Sequence, residues 1–262
     1  MRAYRLLAAL LITVTAIVIA VFVVTATGHN PDPRPQVPPG VGAPATTVAA
    51  STSRPPTVDL FGNRLEVPAT DSGVPLPQTG LPVDPTHADY LTAAPTGLVW
   101  QRIWDGAGVP VSSSDGPARI VDGVASGYAR TPQGAILAGL DALGRALAAP
   151  DPTWKRVVAD RFYGGGQPLI DRFARSRTIT PDAARYVAVP DGVRVQPGFA
   201  PDMAVVEVAT RASSGYAVST WPMVWVDGDW RLRVPDDLES LWRPTTTRVP
   251  TSAGFGNWKP RS

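Results

Sequence analysis

Residues 215–234 read GYAVSTWPMVWVDGDWRLRV and decide the fold. The pair Asp227-Gly228 separates two runs rich in Val and Trp, which predicts a β-hairpin, because a tight turn between twisted strands needs positive φ at both central residues. A two-residue turn then pairs Trp225 with Trp230. Since side chains alternate between faces, six apolar residues share one face that we expect to be core. They are Trp221, Met223, Trp225, Trp230, Leu232 and Val234.

The opposite face of this hairpin carries Asp229, Arg231 and Arg233, and we expect it to face water. Pro222 has no N–H to donate to a ladder, so we expect a bulge or a strand end there.

An amphipathic helix is the expected cover for the hairpin. Thr131 is a good N-cap and Pro132 suits the first helical position. Apolar residues then recur at helical spacing up to Pro150, at Ile136, Leu140, Leu143 and Leu147. Further patterns predict helices near 154–162 and 168–176, a loop at 106–117, and strands at 98–104, 119–128, 184–189, 193–199 and 203–211.

This order of elements predicts an α+β domain over residues 97–245, in which a curved antiparallel sheet packs on about three helices. Residues 246–262 are expected to form a flexible tail. Residues 28–96 are rich in Pro, Gly, Ala and Thr and are predicted to be a disordered linker.

The first 27 residues predict a membrane anchor. Residues 6–27 carry no charge and are long enough as a helix to cross a bilayer core. Arg2 and Arg5 lie in a five-residue stub that should stay in the cytoplasm, so the domain would lie outside the cell membrane. The alternative is a signal peptide cleaved after 24–26, although the apolar run is longer than usual for one.

Composition excludes several chemistries. The chain has no Cys, so thiolate nucleophiles, thiolate metal sites and disulfides are absent. Both histidines, His29 and His87, fall in the predicted linker. Basic residues are scattered, which argues against a nucleic-acid partner, and no loop has phosphate-binding form. We therefore predict no catalytic residue, no cofactor and no metal. Six carboxylates keep a paired-carboxylate site open: Asp105, Asp115, Asp122, Asp160, Asp171 and Glu207, the last expected to face solvent.

Two stretches carry a resemblance. Residues 104–117, WDGAGVPVSSSDGP, and 125–138, ASGYARTPQGAILA, resemble a loop and helix start shared by uncharacterised actinobacterial membrane-anchored proteins found on plasmids and integrative conjugative elements. In that resemblance the motif positions are Gly127, Tyr128, Thr131, Pro132, Gly134 and Ala135. We expect them to turn a strand into a helix with close packing at the small residues.

The layout of anchor, linker, helices and Trp-rich hairpin is also remotely similar to cystatin-like cone domains of the nuclear transport factor type. These include domains of the conjugal transfer protein TcpC and of type IV secretion scaffold subunits. The resemblance implies a scaffold without catalysis, and fold alone does not determine function.

Three hypotheses follow. The first is a non-enzymatic scaffold with protein partners in the cell envelope, plausibly in a conjugation or secretion apparatus. The second is a binding module for a small apolar or envelope-derived ligand, in a cavity lined by aromatics such as Trp100, Trp221 or Trp225. The third is a carboxylate-dependent cell-wall hydrolase. An open, aromatic-lined space between helix and hairpin would favour the second.

Overall fold

The computed structural model describes residues 54–104, 106–242 and 247–260. The predicted stub, the predicted anchor and residues 28–53 of the predicted linker lie outside these ranges. Within the described residues, no helix is long and apolar enough to cross a membrane.

The described chain has three α-helices and twelve strands, so the α+β class is confirmed. The strands are β1 (Arg54–Val58), β2 (Arg64–Val67), β3 (Val99–Ile103), β4 (Ala107–Val111), β5 (Arg119–Val121), β6 (Val124–Ser126), β7 (Phe162–Tyr163), β8 (Gly192–Val195), β9 (Met203–Arg211), β10 (Tyr216–Val226), β11 (Asp229–Arg233) and β12 (Arg248–Val249). The helices are α1 (Pro132–Ala148), α2 (Thr153–Arg161) and α3 (Gly166–Ile179), with 3-10 turns at Ala183–Tyr186 and Leu238–Trp242.

The largest sheet has the order β7-β11-β10-β9-β8, and β12 also pairs with β10. It is mixed rather than purely antiparallel, because β7 runs parallel to β11. The β10–β11 hairpin has the predicted register, with Trp225 opposite Trp230. Asp227 and Gly228 have φ of 54° and 78°, as the tight turn requires.

Two details of the hairpin differ from expectation. Pro222 causes no bulge: β10 continues through it and pairs there with Val205 of β9, while the ladder with β11 ends next to it, at Met223 and Leu232. Asp229 was expected to face water but is only 7% exposed, because an arginine from α2 and backbone amides surround it.

Helix α1 covers the inner face of this sheet, as predicted. Thr131 caps its N-terminus by accepting a hydrogen bond from the amide of Gly134. Ile136 and Leu137 are fully buried. On the sheet, Met223 and Trp230 are 1% and 0% exposed, so the two elements share one core.

The predicted linker boundary at residue 96 is wrong. Strands β1 and β2 form a hairpin whose second strand pairs with β3, giving a four-stranded sheet in the order β1-β2-β3-β4. Leu65 of β2 is fully buried. The Pro-rich composition of this segment predicted a linker. Its short apolar alternation nevertheless forms strand β2, because pairing with β3, far along the chain, stabilises it more than its own β propensity does.

Other boundaries also differ. Residues 107–111 form the buried strand β4 instead of a loop. The strand expected at 184–189 does not form: a 3-10 turn occupies Ala183–Tyr186, and the next strand is β8. The expected flexible tail contains β12 and Trp258, which is 1% exposed. Trp258 donates its indole N–H to the carbonyl of Thr92, so this tail closes over the domain.

Candidate functional site

A cavity of about 620 Å³ lies between α1 and the inner face of the large sheet. It is within the usual range for small-molecule sites, roughly 300–1,000 Å³. Helix α1 contributes Leu140, Leu143 and Leu147, and the sheet contributes Val208, Trp221 and Leu232. Its lining is mainly apolar, so it can accept a hydrophobic molecule.

The cavity exists because the sheet carries small side chains at this place. Ala217 and Ser219 alternate on the inner face of β10, ahead of Trp221. Neither side chain is long enough to reach α1. Leu140 and Leu143 are consequently only partly covered, although both lie on the apolar stripe of the helix.

A wall of aromatic rings bounds one side of the cavity. The rings of Phe162 and Phe173 meet edge to face at 5.3 Å between centroids, and those of Phe173 and Trp242 at 5.2 Å. The guanidinium of Arg172 stacks over Trp242 at 4.4 Å and pairs with Glu239 at 3.0 Å. These contacts hold the wall in place without a ligand.

The three tryptophans proposed as cavity lining are not all in one place. Trp100 and Trp221 line the cavity. The Trp100 indole donates to the carbonyl of Trp258, which fixes the ring. Trp225 lies elsewhere: its ring packs on Trp230 at 5.5 Å, with the guanidinium of Arg130 over it at 5.3 Å.

The motif positions form the turn from β6 into α1. A Cβ at Gly134 would lie 2.0 Å from the carbonyl oxygen of Ala129, so only glycine fits. Ala135 is fully buried and Pro132 begins the helix. The Thr131 hydroxyl donates to the carboxylate of Asp115. The two stretches of the resemblance are therefore joined physically, by a buried loop carboxylate that supports the helix cap.

Gly127 and Tyr128 connect the same turn to the hairpin. Their backbone amides donate to the carboxylate of Asp229 at 2.9 and 3.2 Å. Arg161 pairs with that carboxylate at 2.8 Å, and its guanidinium lies over the Tyr128 ring at 5.4 Å. The spacing of the motif predicted a structural turn but could not indicate Asp229, which lies about a hundred residues away.

Tyr128 is an unusual member of this cluster. Its hydroxyl is buried and has no hydrogen-bond partner among the described residues. Burial raises the pKa of this hydroxyl well above its ordinary value, and the nearby Asp141 carboxylate raises the pKa further.

Helix α1 carries a buried ion pair that the sequence analysis did not predict. Asp141 and Arg145 are both fully buried and form an ion pair at 2.8 Å. Arg145 also donates to the carbonyls of Ser72 and Gly123, and so ties α1 to two loops. The i, i+4 spacing of opposite charges in an otherwise apolar helix was the available signal.

Carboxylates do not gather in the large cavity. Glu207 was expected to face solvent but is 7% exposed. Arg194 of the neighbouring strand β8 and Gln196, just after that strand, each donate a hydrogen bond to one of its carboxylate oxygens. Asp160, Asp227 and Asp229 line a separate cleft of about 310 Å³. There Asp227 pairs with Arg231 as Asp229 does with Arg161.

The other candidates for chemistry lie apart. His87 is exposed, in a turn where its Nδ1 accepts from the amide of Asp89. Asp105 lies outside the described residues. In the described ranges, no group of three or more metal-binding side chains comes together.

A family profile described as a domain of unknown function, DUF8175, matches residues 66–257. The chain belongs to the DUF8175 family. The matched range begins in β2 and ends beside Trp258, so the DUF8175 domain includes segments that composition assigned to linker and tail. No curated protein and no solved structure matches the chain.

Proposed function

We propose that this DUF8175 domain binds a small apolar ligand between α1 and the large sheet. The observation that carries the proposal is the apolar cavity of about 620 Å³ with two leucines and a tryptophan only partly covered inside it. Burying such surface against a ligand is favourable by roughly 25 cal/mol per Å². Protein interiors that serve only stability are close-packed by side chains, with few voids larger than a water molecule.

The layout supports the same proposal. The wall of Phe162, Phe173 and Trp242 is held by ring contacts and by Arg172, so little ordering is needed when a ligand enters. The cystatin-like cone that the remote resemblance implies would leave an opening of this kind, and it stays a prediction. With the anchor predicted at 6–27, the cavity would face envelope-derived molecules outside the membrane.

An uncharged fluorescent probe, N-phenyl-1-naphthylamine, tests this function on the full chain. We expect the probe to bind with enhanced fluorescence, and Leu143→Trp to weaken binding strongly by filling the cavity. Leu81→Trp is the matched control, since Leu81 is 82% exposed and away from the cavity. Both variants keep residues 6–27, so probe binding by that apolar segment would be equal in all proteins.

Two results would contradict the proposal: no probe binding by the natural chain, or equal binding by a folded Leu143→Trp variant. If that variant fails to fold, Leu140→Phe, a smaller increase in volume, takes its place.

A scaffold role in a conjugation or secretion apparatus is the second candidate, and one observation favours a role in binding a protein partner. The turn between β1 and β2 exposes three large apolar side chains, with Val58, Leu60 and Phe61 at least half exposed. An apolar cluster of this kind suits a protein partner. A photo-crosslinking residue at position 60 should capture one envelope protein repeatedly in cells, whereas the same residue at the exposed position 233 should not. Equal labelling at both positions argues against this role.

A further inference from the structure

The cavity has one charged end. Its charged lining residues in the described chain are Asp191, Arg211 and Arg248. They lie where β9, β10 and β12 meet: Ala217 of β10 is paired with Thr210 on one side and with Arg248 on the other. Paired residues share a face of the sheet. Arg248 therefore belongs to the same inner face as Ala217, which lines the cavity.

The carboxylate at this end is already occupied. The Asp191 carboxylate accepts hydrogen bonds from Lys259 Nζ and from the Arg211 amide, both at 2.7 Å. Arg211 Nη2 lies 3.7 Å from the same carboxylate. Arg248 has no carboxylate partner among the described residues. The end of the cavity thus carries an excess of positive charge, and one exposed guanidinium is available to an incoming group.

The remainder of the cavity is suited to a chain without charge. Beyond Thr210 and Ser219 the inner face continues to Trp221, and the roof is formed by Leu140, Leu143 and Leu147. A charged group placed there would lose its hydration without gaining a partner, which is strongly unfavourable. A guanidinium, by contrast, offers paired N–H donors that match a carboxylate or a phosphate.

We infer that the ligand is an anionic amphipath, with an apolar chain between α1 and the sheet and a single oxyanion head at Arg248; the inference rests on the proposed ligand binding. The head group remains near water at the β12 edge, so the charge is only partly desolvated. Both carboxylate and phosphate heads satisfy this chemistry.

Competition against bound N-phenyl-1-naphthylamine on the full chain tests the inference. Four competitors share a sixteen-carbon chain: palmitate, hexadecyl phosphate, hexadecanol and hexadecyltrimethylammonium, each kept below its aggregation concentration. We expect at least one of the two anions to displace the probe at concentrations about tenfold lower than hexadecanol, the order expected for one charge-assisted contact. The cation should compete least. Palmitate against hexadecyl phosphate distinguishes the two head groups.

Arg248→Gln should remove the preference for the anions and leave displacement by hexadecanol unchanged. Arg248→Lys should retain part of the preference, because the charge stays while the paired donors are lost. Arg233→Gln, at an exposed arginine on β11, is the matched control and should keep the full preference. Added salt should reduce the preference, since the head group lies near solvent.

The failures are distinguishable. Absence of probe binding overturns the proposed function, and this inference with it. Probe binding together with equal displacement by anions and hexadecanol overturns only the inference, as does a preference that survives Arg248→Gln. The comparison of competitors on the natural chain decides the matter even if the Arg248 variants do not fold.

Discussion

Helix α1 packs tightly on the sheet over its first turns and leaves an apolar cavity over its later ones. At the packed end Ile136 and Leu137 share one buried core with Met223 and Trp230, and all four are at most 1% exposed. At the open end Leu140 and Leu143 lie beside Ala217 and Ser219 across unfilled space. The helical stripe is equally apolar at both ends, so the difference comes from the size of the side chains that the sheet presents.

The contacts that stabilise the start of α1 lie away from the cavity in which we propose ligand binding. The packed end is joined to the rest of the fold by the Thr131 cap and the Asp229 cluster. The open end is bounded by a wall that holds itself together through Phe173 and Trp242. A ligand bound there as proposed would leave the Thr131 cap and the Asp229 contacts at the packed end in place.

The largest expected effect is at the packed end. Trp230→Ala should lower the free energy of unfolding by about 3–5 kcal/mol, because the ring is fully buried and its indole donates to the carbonyl of Ala129. Trp225→Ala, in the paired position, should cost clearly less, since that ring is partly exposed. Urea denaturation of both variants checks this, and equal losses would mean that the two paired rings are packed alike.

Ile136 and Leu143 lie at the packed end and at the open end of α1. Ile136→Ala should cost about 2–5 kcal/mol, the range for a well-packed aliphatic side chain. Leu143→Ala should cost less than about 2 kcal/mol, because part of that side chain already lacks neighbours. Thermal unfolding of the ligand-free chain measures both. If Leu143→Ala proved as costly as Ile136→Ala, the later turns of α1 would be packed and the cavity filled.

The smallest effect concerns pH. Tyr128 has a raised pKa in the folded state, so above pH 10.0 the unfolded chain loses the proton while the folded chain keeps it. The free energy of unfolding should therefore fall as pH rises above that value, and Tyr128→Phe should reduce the fall. Below it both states are neutral and the pH dependence should be the same in the two proteins. Denaturation curves from pH 8 to 11 check this, and parallel curves across that range would contradict it.

Much of the packed end could be predicted from local patterns. The Asp227-Gly228 turn set the hairpin register, and the spacing of Ile136 to Leu147 set the helix that covers it. The same patterns assigned Trp225 and Trp230 to one core, although only Trp230 is fully buried. Alternation identifies the face of a strand on which a side chain lies. It does not give the buried fraction of that side chain, because burial depends on elements distant in the chain.

Distant contacts also explain the segments that were predicted wrongly. Leu65 and Trp258 stand in Pro- and Gly-rich surroundings and are nevertheless buried. Leu65 gains its burial when β2 pairs with β3, and Trp258 gains it by hydrogen bonding to Thr92. The partners in these two contacts cannot be read from the local sequence, because each contact joins segments that lie far apart in the chain.

The sequence by itself determined the α+β class, the hairpin register, the capped helix and the absence of thiol chemistry. These depend on turn geometry, on side-chain periodicity and on composition, which are local properties. The tertiary structure alone decided that small residues of β10 lie under the later turns of α1, and that Arg248 reaches the same face from β12. Both facts require strands and a helix from separate parts of the chain to meet, and a cavity is defined only where they meet.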